Sequence, residues 1–220
     1  KMEQGLVFDM DGLIFDTERI VKQSWDDVGK DLGIPDMGEH IFRTIGFNRE
    51  RRAVYFRENI REDFPVEEFS ERTRRRFYEI AETEGVEIKP GARELLEYGK
   101  QNGFKIALAT SSRRAYAEQL LKDAGLYEYF DGFVFGDMVT HSKPDPEVYV
   151  RACEQIGLLP KQCTAFEDAP AGVCSAHAAG LCTCMVPDLV EPEEPVRQLA
   201  DYVFRSLHEA IGMLKRRINR

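Results

Sequence analysis

Apolar residues along this chain fall into two kinds of run. Leu6–Phe8, Phe104–Ala109, Gly132–Phe135, Cys163–Phe166, Leu181–Val186 and Tyr202–Phe204 are short and nearly unbroken. A strand buried on both faces of a parallel sheet reads this way. Between them, stretches such as Ala115–Ala124, Pro146–Ile156 and Pro170–Ala179 carry the longer period of helices. Strand and helix in alternation predict an α/β fold, a parallel sheet flanked by helices.

The first two of these strands are separated by more than ninety residues, far beyond what a crossover needs. That interval is helical in pattern. Val21, Trp25, Val28 and Leu32 recur at spacings of four, three and four, one face of a helix that Asp16 or Thr17 can cap. Further amphipathic stretches run from about Arg49 to Ile60 and from Val66 to Glu84, and Gly85 with Lys89-Pro90-Gly91 breaks the pattern. The expected organisation is an α/β core from 1–16 and 87–220, with an all-helical cap domain at 17–86. An insertion at that point lies over the carboxyl ends of the strands, where open α/β sheets bind ligands.

Composition narrows the partners. Across 220 residues, 43% hydrophobic and 31% charged content describes a globular chain, and no apolar run approaches the length of a spanning helix. Leu6–Phe8 is interrupted at once by Asp9, so no signal-peptide layout is present and a cytoplasmic protein is expected. A net charge of −9 argues against nucleic acid or an anionic membrane as a general partner. One local exception is the stretch Arg43–Arg61, with six Arg and two Glu. It reads either as a solvated helix face or as a cationic wall for an anionic substrate. Five cysteines, none in C-x-x-C spacing, point to reduced thiols, and the four histidines show no zinc-like spacing.

The chemistry collects where strands end. "LVFDMDGLIFDTE" places Asp9 at the end of the first strand and Asp11 in the following loop. Buried carboxylates are costly unless paired or bound to metal, and turn capping around Gly12 explains one of them better than two. The second strand ends in Thr110-Ser111-Ser112, and the fourth in Glu167-Asp168. After the third comes "SKPDP", with Lys143 ahead of Asp145 as a helix cap and Pro146 at the first helical position. Singly, a serine here reads as a helix cap, Lys143 as a solvated lysine and Asp168 as another cap. Jointly they make chemical sense. Hydroxyls and amides at a helix start bind phosphate, Lys143 adds charge to the same oxygens, and Asp9, Glu167 and Asp168 are the hard oxygen donors Mg²⁺ prefers.

"DMDGLIFDTE", "LATSS", "SKPDP" and "FEDAPAGVCSAHAAG" together closely resemble the haloacid dehalogenase superfamily, in order and over almost the whole chain. Within it they are similar to the phosphatase and β-phosphoglucomutase-like group with a helical cap on a Rossmann-like core. The resemblance implies a Mg²⁺-dependent enzyme with Asp9 as nucleophile and Asp11 as general acid/base. It also implies phosphate binding by Thr110, Ser111 and Lys143, and metal binding by Asp9, Glu167, Asp168 and the backbone carbonyl of Asp11. Gly12 lets the backbone turn so that Asp9 and Asp11 face one substrate, leaving Asp16 to cap the next helix.

Asp11 counts against the dehalogenases and phosphonate hydrolases of the superfamily, which depart at that position. A receiver domain would carry its carboxylate pair before the phosphorylated Asp and no helical insertion. A dinucleotide-binding protein would need a G-x-G-x-x-G turn, and none is found. Between phosphatase and mutase the residues divide. Mutases of this type carry a histidine early in the first cap helix, where this chain reads "ERIVKQSW"; they also carry a Gly and an Arg that Gly46 and Arg49 match. The expectation is a phosphatase of small phosphorylated metabolites, sugar phosphates foremost, with a β-phosphoglucomutase-type enzyme as the alternative. Arg49 is the cap residue expected to meet a substrate anion. Oligomeric state is not encoded in any feature read above.

Overall fold

The computed structural model describes residues 4–45, 47 and 49–218, so Gly46 lies outside the described residues. Six strands run Gly5–Phe8 (β1), Lys105–Ala109 (β2), Gly132–Val134 (β3), Cys163–Glu167 (β4), Cys182–Met185 (β5) and Tyr202–Val203 (β6). The helices are α1 (Thr17–Asp31), α2 (Ile41–Thr44), α3 (Arg49–Asn59), α4 (Val66–Glu84) and α5 (Ala92–Gln101), then α6 (Arg114–Asp123), α7 (Glu147–Gln155), α8 (Pro170–Ala179), α9 (Glu194–Leu199) and α10 (Leu207–Ile218). They fall into two compact units, Lys1–Phe15 with Ile88–Arg220, and Asp16–Glu87. No helix among the described residues is long and apolar enough to cross a membrane.

The first unit is built on one sheet in the order β3-β2-β1-β4-β5-β6, parallel throughout. The expected α/β class is therefore the observed one. β1 lies at the centre because Gly5–Phe8 is buried at every position, as a strand with neighbours and helices on all sides must be. Its two faces bury different partners. Val7 joins Ala107, Ala165, Val148, Tyr149 and Ala152, so α7 covers that side. Phe8 stacks on Phe166 at 5.0 Å on the other side. There α5 comes close through Gly99, where a Cβ would stand 2.9 Å from Leu6.

Register explains why the polar residues gather. Leu6 pairs with Ile106 and Thr164, so β1, β2 and β4 end level with one another. The chain moves outward from β1 to β2 and β3, then returns to the other side for β4, β5 and β6. Ligands bind at such a reversal of strand order, beyond the carboxyl ends.

The second unit is helical, and its core is aromatic. Trp25 of α1 meets Phe56 of α3 at 5.4 Å and Phe69 of α4 at 5.5 Å, both edge-on. Asp27–Arg76 and Asp31–Arg72 pairs at 2.8 and 3.0 Å tie α1 to α4 at the surface. Asp16 occupies the N-cap position of α1, but its side chain makes no capping hydrogen bond. The arginine-rich stretch is mostly a solvated face, since Phe56 is the one buried residue of α3. Arg52 departs from that pattern. Its guanidinium lies 5.6 Å over the Trp25 ring, and its Nε is buried with no hydrogen-bond partner among the described residues.

Candidate active site

Asp9 follows β1 directly, and its N–H donates to the Phe166 carbonyl at 3.0 Å, carrying sheet pairing one residue past the strand. The loop then closes tightly. Met10 O accepts from the N–H groups of Leu13, Ile14 and Phe15 at 3.2, 2.9 and 3.3 Å. Gly12 sits at φ +79°, and a Cβ there would stand 2.2 Å from Asp168 Oδ2, so both conformation and space require glycine.

Lys143 is the hub. Its Nζ donates to Asp9 Oδ1 at 2.8 Å, to Glu167 Oε1 at 2.5 Å and to the Ala109 carbonyl at 3.1 Å. The ammonium is thus fixed to the ends of β1, β2 and β4 at once. Burial would push its pKa down, but the Asp9 and Glu167 carboxylates overrule that and hold it above the usual lysine range. Glu167, 1% exposed, also accepts from the Tyr149 hydroxyl. Burial, with Asp9 beside it, pushes the Glu167 carboxyl up to about 7 against the pull of Lys143 and Tyr149.

Asp11 is held from the segment that follows the neighbouring strand β2. Ser112 Oγ donates to Asp11 Oδ2 at 2.5 Å and the Tyr116 hydroxyl to Oδ1 at 3.2 Å. Thr110 is buried, and its hydroxyl accepts from the Ser112 N–H at 3.1 Å. The Ser111 side chain is exposed. A Cβ on Gly136 would stand 2.0 Å from the Ser111 carbonyl oxygen, so that glycine lets the two loops meet. Asp145 caps the start of α7 as expected, its Oδ1 accepting from the Glu147 N–H at 2.9 Å across Pro146, whose backbone is already helical.

Ligand atoms of Asp9, Glu167 and Asp168 lie within 4.8 Å of one another, all carboxylate oxygens. The Asp188 Oδ2 is buried without a partner among the described residues and faces Gly12 beside Asp168, while its Oδ1 pairs with Lys89. A hard divalent cation suits this donor set, since it takes oxygen ligands and offsets uncompensated negative charge.

The structure thus brings together Asp9, Asp11, Thr110, Lys143, Glu167 and Asp168 at one end of the sheet. Arg49 belongs to the helical unit, exposed and paired with Glu67. Three polar contributors escaped the sequence reading, Tyr116 on Asp11, Tyr149 on Glu167 and Asp188 near Asp168, while Ser112, read there as a helix cap, turns to Asp11.

The family model of haloacid dehalogenase-like hydrolases matches residues 6–186. The chain belongs to that family. Among relatives, it is 34% identical over 181 residues to a phosphorylated carbohydrates phosphatase of Thermotoga maritima, covering 81% of this chain and 82% of that one. It is 33% identical to the fructose-1-phosphate phosphatase YqaB of Escherichia coli, covering 80% of this chain and 93% of that one. A haloacid dehalogenase family hydrolase from Deinococcus radiodurans, solved with bound phosphate and sodium, superposes with a TM-score of 0.80. It is 26% identical and covers 94% of this chain and 93% of its own.

Proposed function

We propose that this haloacid dehalogenase-family chain is a Mg²⁺-dependent phosphatase of small phosphorylated metabolites, chiefly sugar phosphates, acting through an aspartyl-phosphate on Asp9. The observation that carries the reading is Lys143 bound to both Asp9 and Glu167, with Asp168 completing the carboxylate cluster. A carboxylate approaching a phosphate dianion meets repulsion of about 8 kcal/mol, for a charge product of two at ~4 Å and an effective dielectric of ~20. Lys143 supplies part of the compensation. Asp9, Glu167, Asp168 and the Asp11 carbonyl would hold Mg²⁺, which when bound supplies the rest as a Lewis acid on phosphoryl oxygens.

The chain's own residues divide the remaining work. Thr110 and Ser111 with Lys143 receive the phosphoryl oxygens. An Asp9 carboxylate oxygen attacks phosphorus, the bond to the leaving oxygen breaks, and Asp11 gives that oxygen its proton. Asp11, now ionised, takes a proton from the water that attacks the aspartyl-phosphate, which frees Asp9 and inorganic phosphate. Ser112 and Tyr116 keep the Asp11 carboxylate oriented for both transfers. In the helical unit, a recess of about 220 Å³ is lined by Trp25, Phe56, Phe77 and Arg52. A reducing compartment such as the cytoplasm suits the five free thiols.

The mutase alternative rests on Gly46 and Arg49. Gly46 lies outside the described residues, and Arg49 is engaged by Glu67. The test is phosphate release from a panel of phosphorylated sugars and related metabolites, with Mg²⁺ and with chelator. Release is expected only with metal, and Asp9→Asn should lower it by ~10⁴-fold or more while leaving the fold intact. Retention of more than about one per cent of turnover in that variant would remove Asp9 as nucleophile.

A further inference from the structure

At the amino-terminal ends of the strands, away from the active site, β5 begins with Cys182, and Cys184 follows two residues on. Alternate residues of a strand point to one side, so the two thiols share a face. Register sets Cys182 beside Thr164 and Cys184 beside Phe166. The last turn of α10 carries Arg217 to this spot. Its Nη1 donates to Thr164 Oγ1 at 3.2 Å and its Nη2 to Cys182 Sγ at 3.0 Å, while the guanidinium lies 5.5 Å over the Tyr202 ring. Leu181, Cys182, Asp201, Tyr202 and Arg217 line an open recess of about 530 Å³. Cys182 is half-buried and Cys184 fully buried. The phosphatase reading uses none of these groups.

We propose that Cys182 is a modification site whose thiolate, held by Arg217 at the mouth of this recess, is oxidised by hydroperoxides to a sulfenic acid. The Cys182 sulfur attacks one peroxide oxygen, an S–O bond forms and the O–O bond breaks. The departing hydroxide or alkoxide takes a proton from solvent. Sulfur loses two electrons and the peroxide gains them. Arg217 Nη2 already donates to the sulfur and is placed to stabilise the negative charge that passes to the leaving oxygen. The neighbouring Cys184 thiol and Arg217 hold the Cys182 thiol down to about 6, against burial and the Asp201 carboxylate. The thiolate, not the thiol, is the nucleophile, so the site is active at neutral pH. Among the other thiols, Cys153 and Cys163 are buried, and Cys174 is half-buried like Cys182, which makes it the internal reference.

The experiment treats the full chain with hydrogen peroxide and dimedone, then maps labelled cysteines by peptide mass spectrometry across pH. Iodoacetamide in parallel reports the thiolate alone. Cys182 should be labelled at least ~10-fold faster than Cys174 at neutral pH, with a rate that climbs through about pH 6 and then levels. Arg217→Gln should bring its rate down to that of Cys174 and move the midpoint towards the ordinary thiol range, whereas Arg217→Lys keeps part of the advantage. Cys184→Ala, which removes the neighbouring thiol, should move the midpoint the same way and stands in if Arg217→Gln folds poorly. Equal labelling of Cys182 and Cys174 overturns the proposal. So does iodoacetamide reaction without dimedone capture, and so does a pH profile untouched by both Arg217→Gln and Cys184→Ala.

Discussion

Ser112 Oγ donates to Asp11 Oδ2 at 2.5 Å across 101 residues of sequence, with Tyr116 on the other carboxylate oxygen at 3.2 Å. Two hydroxyls from the start of α6 thus fix a carboxylate from the loop after β1. A hydrogen bond to a charged group contributes about 1.5–3 kcal/mol. If that orientation is spent on the two proton transfers, Ser112→Ala should lower kcat by roughly 10–100-fold with little change in KM. The longer Tyr116 bond predicts a smaller loss for Tyr116→Phe. Steady-state kinetics on the best substrate of the panel decide it. A KM effect with unchanged kcat would make Ser112 a substrate ligand rather than a positioning residue.

Lys143 invites a stability measurement as well as a kinetic one. Its ammonium sits between two buried carboxylates, 2.8 and 2.5 Å away. Lys143→Met leaves Asp9 and Glu167 facing each other uncompensated, and breaking a buried pair from one side costs about 3–5 kcal/mol. For a chain of this size the melting temperature should fall on the order of 10 °C, with partial recovery in Mg²⁺. The sign of the pH effect follows from the raised Lys143 pKa. Its stabilisation is complete below the unfolded lysine value of ~10.4 and is lost only as pH rises towards the folded value. Scanning the parent protein from about pH 7 to 9 should leave this contribution in place. A variant melting within about 2 °C of the parent would show the pair to be dispensable for stability.

The core of the fold was legible because two-sided burial writes itself as unbroken apolar runs. All six strands lie where those runs fall, with ends shifted by a residue or so. The strand-end acids and Lys143 were legible for the complementary reason, that charge beside such runs needs an explanation. Ser112 was read as a helix cap, yet Arg113 takes the N-cap position of α6 and the serine hydroxyl turns to Asp11. Tyr149 lies on the apolar face of α7 and looks like core, which it also is; only its hydroxyl meets Glu167. Tyr116 and Asp188 act across long sequence separations that no local pattern records. Strand order and the short helix α2 were likewise not written in any periodicity.

Metal dependence should show in the acids that follow β4. Asp168 is the half-buried member of the cluster with Asp9 and Glu167, and its carboxylate leans into the space Gly12 leaves open. Asp168→Ala removes one hard ligand, so the Mg²⁺ concentration for half-maximal activity should rise by ~10–100-fold, while saturating metal recovers part of the rate. Gly12→Ala should do similar damage by a different route, since its Cβ would meet Asp168 Oδ2 at 2.2 Å. Turnover of the parent enzyme undiminished in chelator would take the metal out of the mechanism altogether.

Phosphatase and mutase differ in what attacks the aspartyl-phosphate, and the strand-end residues serve both. On the proposed mechanism each begins with transfer of the phosphoryl group to Asp9 through the same loose transition state. A mutase must then disfavour water until a sugar phosphate returns to take the group, so that Asp11 becomes useful only with substrate in place. The histidine of such mutases has no counterpart in "ERIVKQSW", where α1 instead carries Val21 and buries Ile20, Ser24 and Trp25. Without it, water meets an Asp11 already oriented by Ser112 and Tyr116. Offered β-glucose 1-phosphate, Mg²⁺ and a trace of glucose 1,6-bisphosphate, the enzyme should release inorganic phosphate or leave the sugar untouched. Coupled assays for free phosphate and for glucose 6-phosphate, run on the same sample, separate the two. Catalytic accumulation of glucose 6-phosphate without matching phosphate release would transfer the assignment to the mutase, and would mean that some residue other than a histidine of α1 keeps water from the aspartyl-phosphate.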